Sequence, residues 1–204
     1  MAHFKNLDRL LRTYNLVLVS GSPRRVDILT EAGVKFRQII PNIDEKDDID
    51  PDPCRLTTIL AESKARVALN QIKENEIALG SDTIVIFRGK ILSKPLSLED
   101  AFRMLSALSG NGHTVCSAVA LVDLKGRIVS GFETTQVYFN KVTSEALYEY
   151  IATGEPMDKA GAYGIQGKGG FLVDRIIGNI DNVTGLPMTL LDNLANEWQR
   201  NNGI

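Results

Sequence analysis

Histidine and cysteine are scarce in this chain, and their scarcity closes off several chemistries before any motif is considered. Two histidines, His3 and His113, occur in 204 residues. That is too few for a multi-histidine metal centre or a pair of catalytic histidines, so any metal must take carboxylate oxygens. Two cysteines, Cys54 and Cys116, stand far apart without a CxxC context, which excludes a disulfide scaffold and favours a reducing, cytoplasmic setting. An excess of charge of either sign is lacking too, with Lys+Arg 23 against Asp+Glu 25 and a formal net charge of -2. A chain without a basic excess is not a general nucleic-acid binder, so a negative partner has to be held locally. No apolar run approaches a membrane span, and the opening "MAHFKNLDRLLRTYN" is charged throughout. It reads as neither a secretory signal nor a membrane anchor.

What is present suffices for a substantial core, since 44% of the residues are hydrophobic. Residues 1–14 read as a short amphipathic extension with Phe4, Leu7, Leu10 and Leu11 on one side, and residues 15–204 as a single domain, with two lobes at most. No linker, repeat or low-complexity segment divides them. Leu16 to Val19 and Val34 to Ile40 read as strands around a helix, and a second helix is expected from about Cys54 to Ile72. "IALGSDTIVIF" reads as a strand interrupted at Gly80 to Thr83, followed by an Arg88-Gly89 hairpin turn. Strands with a Lys125-Gly126 turn, a helix opened by Thr143, the strand "FLVDRII" and a closing helix near Pro187 complete the pattern. The fold class is α/β, bordering on α+β, with a mixed sheet because hairpins occur among the crossovers.

Chemistry concentrates in a few stretches. In "LVLVSGSPRRVDILTEAG" Ser22 suits the N-cap, Pro23 the first helical position and Gly33 the position just past the end. Arg24 and Arg25 then sit where the helix dipole prefers acids, which points either to an anion such as phosphate or to a solvated first turn. Neither GxxxxGK[ST] nor GxGxxG occurs there. Asp82 lies between apolar runs, where an ionised carboxylate needs a partner, a metal or an opening. It is a general base or metal ligand, or else a strand-end carboxylate satisfied by backbone. The acidic loop "NIDEKDDIDPDP" contains Glu45 and would suit a hard divalent cation, or be plain solvated surface. Lys64 falls at the edge of an apolar helix face and Lys94 precedes Pro95, and each alone is consistent with a surface lysine. "DKAGAYGIQGKGG" combines five glycines from Gly161 to Gly170 with Gln166, whose amide offers a donor and an acceptor to a base edge. A flexible surface loop is the alternative.

Taken in order, "SGSPRR", "GSDT", "SKP", "DKAGAYGIQG" and "NVTGLP" resemble the Maf family of nucleoside triphosphate pyrophosphatases. "DKAGAYGIQG" is similar to its dTTP/UTP branch rather than to the branch acting on 7-methyl-GTP. The resemblance spans nearly all of the chain beyond residue 14. It implies a two-lobed fold with a central mixed sheet and a substrate cleft, commonly a homodimer. It also implies hydrolysis of dTTP and UTP to the monophosphate and pyrophosphate with a divalent cation, Mg²⁺ or Mn²⁺. By the same resemblance Asp82 is the proton acceptor and Arg24, Thr83 and Gln166 are the substrate-specificity positions. Ser20, Arg25, Glu45, Lys64 and Lys94 are further polar site positions. We expect Arg25, Lys64 and Lys94 to hold the phosphates and Glu45, with Asp82, to hold the metal. Two other roles suit the same resemblance: a nucleotide-binding regulator of septum formation with little turnover, and a broader pyrophosphatase for modified pyrimidine nucleotides.

Overall fold

Alternation along the strands sorts the apolar residues into two different kinds of layer. The structure, a computed structural model, describes residues 4–42 and 50–203. Its elements are α1 (Lys5–Leu10), β1 (Asn15–Val19), α2 (Pro23–Glu31), β2 (Phe36–Ile39), α3 (Pro53–Val67), β3 (Glu76–Phe87), β4 (Lys90–Leu92), α4 (Leu98–Leu108), β5 (Gly112–Asp123), β6 (Ile128–Phe139), α5 (Ser144–Ala152), β7 (Val173–Ile177), α6 (Ile180–Thr184) and α7 (Met188–Asn202). The sheet order is β2-β1-β3-β5-β6-β7, with β4 paired to β3. Strand β1 runs parallel to β2 and β3, whereas β3–β4 and β6–β7 are antiparallel, so the sheet is mixed as expected for α/β. Two compact units divide the chain: Met1–Asp82, Ser117–Glu133 and Gly185–Ile204 form the first, and Thr83–Cys116 and Thr134–Thr184 the second.

In the first unit Leu16, Leu18, Ile77 and Leu79 turn to one side, where they pack with Leu191, Leu194 and Trp198 of α7. Val17, Val19 and Ala78 turn to the other, where Ala61, Ala65 and Ala68 meet them. The first layer is built of large side chains and the second of small ones, so helix α3 can come close to the sheet. Residues 1–14 include two fully buried core side chains, Leu7 and Leu10. Helix α1 lacks a side-chain cap of its own. Two amides of its first turn, Asn6 N and Leu7 N, instead donate to Asp192 Oδ1 of α7 at 2.9 and 2.8 Å. A carboxylate at a helix start satisfies orphan donors and complements the dipole, which fixes α1 on α7.

Several ends follow local rules. Gly33, at φ +74°, closes α2 with Gly33 N to Thr30 O and Val34 N to Leu29 O, the paired bonds of a Schellman ending. Arg88 and Gly89, both at positive φ, make the two-residue turn between β3 and β4. Three details differ from the sequence reading. Strand β3 runs unbroken through Gly80 to Thr83, because Gly80 fills a packing requirement rather than a turn. Helix α3 ends at Val67 and tightens into a 3₁₀ turn at Ala68–Asn70. The Ser22 hydroxyl makes no cap bond, although its backbone is extended as an N-cap requires.

The second unit packs α4, α5, Tyr163 and Leu172 around Val137 and Phe139. His113 is buried there, its ring edge-on to Phe139 and Tyr163, with Nε2 and the Tyr163 hydroxyl 2.8 Å apart. Burial pushes the imidazole pKa down from 6.5 to about 4. Below pH 6.5 the unfolded chain therefore takes up a proton that the folded chain refuses until about pH 4, and stability falls across that window. Between pH 7 and pH 5 the loss from this residue is about 2 kcal/mol. Urea unfolding at both values should show His113→Gln losing less stability on acidification than the wild type. Equal losses would contradict the assignment.

Candidate active site

The first strand and the third meet where their onward connections diverge. From β1 the chain passes through α2 to β2 on one side, and from β3 it goes on to β4 and β5 on the other. In parallel pairings such a point opens a crevice at the carboxyl ends of the strands, the usual place for a ligand. The register Val19↔Gly80 brings Ser20, just past β1, level with the Gly80 to Thr83 stretch of β3.

Ser20 is buried, and its hydroxyl oxygen accepts from Ser22 N and from Arg25 Nη1, both at 3.1 Å. Arg25 is also buried, and its Nε donates to the Gly185 carbonyl at 2.8 Å. The Ser81 hydroxyl donates to the same carbonyl at 3.0 Å. Thus the second arginine of "SGSPRR" is not a solvated first-turn residue. Its guanidinium is clamped from two directions, and a planar five-donor group so held keeps N–H groups aimed in fixed directions. Arg24 beside it is half-buried.

Strand alternation places Ser81 on the Gly185 side and Asp82 on the α3 side. There Lys64 Nζ donates to Asp82 Oδ1 at 2.5 Å, and both side chains are only 8% exposed. Lys64 is thus not the snorkelling surface lysine that its sequence position alone would allow. Buried opposite charges of this kind hold each other in place, and removing one strands the other. The approach depends on Gly80. A Cβ there would lie 2.2 Å from Ala61 O and 2.7 Å from Ala65 N of α3. Only glycine lets the helix backbone come near enough for Lys64 to meet Asp82.

In the second unit Thr83 lies within β3, next to Asp82, and is half-buried, while Lys94 and Gln166 are exposed. The Ser93 carbonyl, next to Lys94, accepts from Gly161 N at 3.2 Å, so the "SKP" turn is tied to the glycine-rich segment. Gly161 and Ala162 are both in the left-handed region, at φ 67° and 62°. Glu45 lies outside the described residues. The structure therefore groups Ser20 with Arg25 and Lys64 with Asp82 in the first unit, and links the segments of Lys94 and Gln166 in the second. Sequence reasoning did not single out Gly80, Ser81 or the Gly185 carbonyl. Their signal was the quoted "GSDT" and "NVTGLP", whose glycines and serine carried no titratable group to attract attention.

Fold and site together define an α/β protein with a clamped, buried arginine on one side of β3 and a buried lysine–aspartate pair on the other. Residues 15–198 match the family of Maf-like proteins, and the chain belongs to that family. Among its relatives is a dTTP/UTP pyrophosphatase of Clostridium botulinum (strain Okra / Type B1), 44% identical over 191 residues, covering 90% of this chain and 96% of the relative. Proteins of the same description from Bdellovibrio bacteriovorus and Vibrio vulnificus are 43% and 41% identical, covering 90% and 91% of this chain and 98% and 99% of their own.

The Gly80 contact gives a direct test. Gly80→Ala should force α3 away from β3 and destabilise the protein by about 3 kcal/mol, the upper range for overpacking. Ala61→Gly in the same background, which does not remove the Ala61 backbone oxygen, should restore little of it. Thermal unfolding decides, and a Gly80→Ala protein within about 0.5 kcal/mol of wild type would show that the close approach is not needed.

Proposed function

We propose that this protein is a nucleoside triphosphate pyrophosphatase that hydrolyses dTTP and UTP to dTMP and UMP with release of pyrophosphate. The observation that carries the reading is the 44% identity, over nine-tenths of the chain, to a relative described as a dTTP/UTP pyrophosphatase. The buried Lys64–Asp82 pair and the clamped Arg25, both carried by the first unit, support it, because phosphoryl chemistry needs fixed positive groups and a carboxylate. In this reading Ser20, Arg25, Lys64 and Lys94 bind the phosphates, and Arg24, Thr83 and Gln166 select the nucleotide. The protein acts on free nucleotides in the cytoplasm as a homodimer, not on nucleic acid or membranes. Among the described residues no helix is long and apolar enough to cross a membrane.

The reaction requires a water oxygen to bond to the α-phosphorus while the bond from that phosphorus to the α–β bridging oxygen breaks, and the pyrophosphate leaves with that oxygen. Asp82 takes the proton of the attacking water. Lys64 orients the Asp82 carboxylate, and its ammonium, with the Arg25 guanidinium, offsets the charge gathering on the phosphate oxygens. No covalent intermediate with the protein is needed.

A divalent cation fits the donors in part. Among the described residues no group of three or more His, Cys, Asp and Glu side chains converges to hold one. Asp82 supplies a single carboxylate, which suits Mg²⁺ or Mn²⁺, ions that draw many ligands from phosphates and water. Asp82 and Glu45 would hold it. When bound, such an ion supplies charge neutralisation at the phosphate oxygens.

Asp82→Asn should lower turnover of dTTP by about 10²–10⁴-fold, if Asp82 takes the proton. Because the change leaves Lys64 without its counter-charge, the rate is measured on protein shown by circular dichroism to be folded. Pyrophosphate and orthophosphate are measured separately with Mg²⁺ and with excess EDTA. Pyrophosphate as the first product, lost with EDTA and in Asp82→Asn, is expected. Near-normal turnover in that variant, or orthophosphate as the first product, would sink the reading.

A further inference from the structure

The segment that carries Gln166 is held by a polar frame that the reaction itself does not use. Glu155 opens a 3₁₀ turn directly after Gly154, beyond the end of α5. Its Oε2 accepts from Lys168 N at 2.8 Å, and its Oε1 accepts from Gly169 N at 3.2 Å. The Tyr150 hydroxyl donates to the same Oε1 at 3.0 Å and in turn accepts from Gly164 N at 3.2 Å. One carboxylate and one phenol thus grip the backbone at both ends of the turn from Gly164 to Gly169, and they are bonded to each other. Gln166 lies in the middle with its side chain exposed.

The glycines fit the frame rather than loosening the loop. A Cβ on Gly167 would sit 2.4 Å from Glu155 Oε1, and one on Gly169 would sit 2.5 Å from the Tyr150 hydroxyl and 2.9 Å from Gly164 O. Side chains there would push the carboxylate and the phenol off the amides they serve. Burial pushes the Glu155 carboxyl up, but the Lys168 and Gly169 amides and the Tyr150 hydroxyl outweigh it and leave its pKa below the ordinary value. Burial raises the Tyr150 phenol well above its usual range, so it stays a donor. Hydrogen bonds from amides to an ionised acceptor are stronger than those between neutral groups, enough to fix one backbone shape for a short turn.

We propose that Glu155, with Tyr150, is a positioning residue for nucleotide selection: it fixes the backbone on either side of Gln166 and so sets where that amide meets the base, without touching substrate itself. This rests on the reading of Gln166 as a specificity residue. The isosteric Glu155→Gln tests it, because an amide has a single acceptor oxygen. In either orientation its NH₂ group faces a backbone N–H, or the Tyr150 hydroxyl, across a contact that needs an acceptor.

The experiment measures kcat and KM for dTTP and for CTP in the wild type, Glu155→Gln, Gln166→Ala and the double variant. The ratio of kcat/KM for dTTP to that for CTP should fall about tenfold in Glu155→Gln, through KM rather than kcat, and should fall no further when Gln166→Ala is added. Should Glu155→Gln be insoluble, Tyr150→Phe removes the Gly164 contact and should lower the ratio in the same sense, by about threefold. In the soluble variant, hydrogen exchange of the Lys168 and Gly169 amides should quicken. A ratio unchanged in Glu155→Gln but lowered in Gln166→Ala would overturn the positioning role and leave the specificity reading standing. A ratio unchanged in both would remove the specificity reading, and the proposal with it. Equal losses on both nucleotides in Glu155→Gln would make the frame a general support and overturn the proposal.

Discussion

A lysine ammonium and an aspartate carboxylate held 2.5 Å apart away from water set the terms for the rest of the first unit. Two charges at that depth are tolerated only as a pair, so the elements that carry them must be brought together accurately. Strand alternation turns residue 82 towards α3, since Ala78 and Gly80 already face that helix and Leu79 faces the other layer. The small residues Ala61, Ala65 and Gly80 then set the separation, because a larger group at any of them would lengthen the reach that Lys64 must make. The Ala-rich layer is thus a condition of the Lys64–Asp82 contact and not merely a weakly packed region. On the other layer, large side chains and α1 supply the apolar burial that small residues cannot.

The Ser20, Arg25, Ser81 and Gly185 cluster shows the same economy by different means. The Gly185 carbonyl accepts from both Arg25 and Ser81, so one backbone oxygen before α7 fixes a side chain of α2 and one of β3. In the second unit Glu155 plays the corresponding part, gathering backbone amides where Gly185 gathers side chains. Each unit therefore places polar groups with an acceptor that has no chemical task of its own. Such acceptors restrict motion, and restricted donors stabilise developing charge without reorganising.

Much of this was legible in the sequence, and the reasons are local. The α2 ending follows from Gly33, and the β3–β4 turn from Arg88-Gly89. The cap at Thr143 follows from a hydroxyl placed before helical periodicity, and it accepts from the backbone amide three residues on. The mixed sheet followed from hairpins among crossovers. What was not legible depends on contacts distant in sequence. Gly80 read as a break in a strand because a glycine gives no sign of whether it bends the chain or admits another backbone. Lys64 read as a surface lysine because its partner lies on another element, and the even spacing of Ala78, Gly80 and Asp82 acquires meaning only once α3 is laid against it. The capping of α1 by Asp192 is invisible for the same reason. Glu155 sat in "GEPMDK" as an ordinary acid, and only the position of the Lys168 and Gly169 amides distinguishes it.

The proposed role of the site around Asp82 is to direct water to the α-phosphorus. Hydrolysis of dTTP in H₂¹⁸O, with both products analysed by mass spectrometry, tests it most directly. The label should appear in dTMP and be absent from pyrophosphate. Label in pyrophosphate would place the attack on the β-phosphorus and contradict the account.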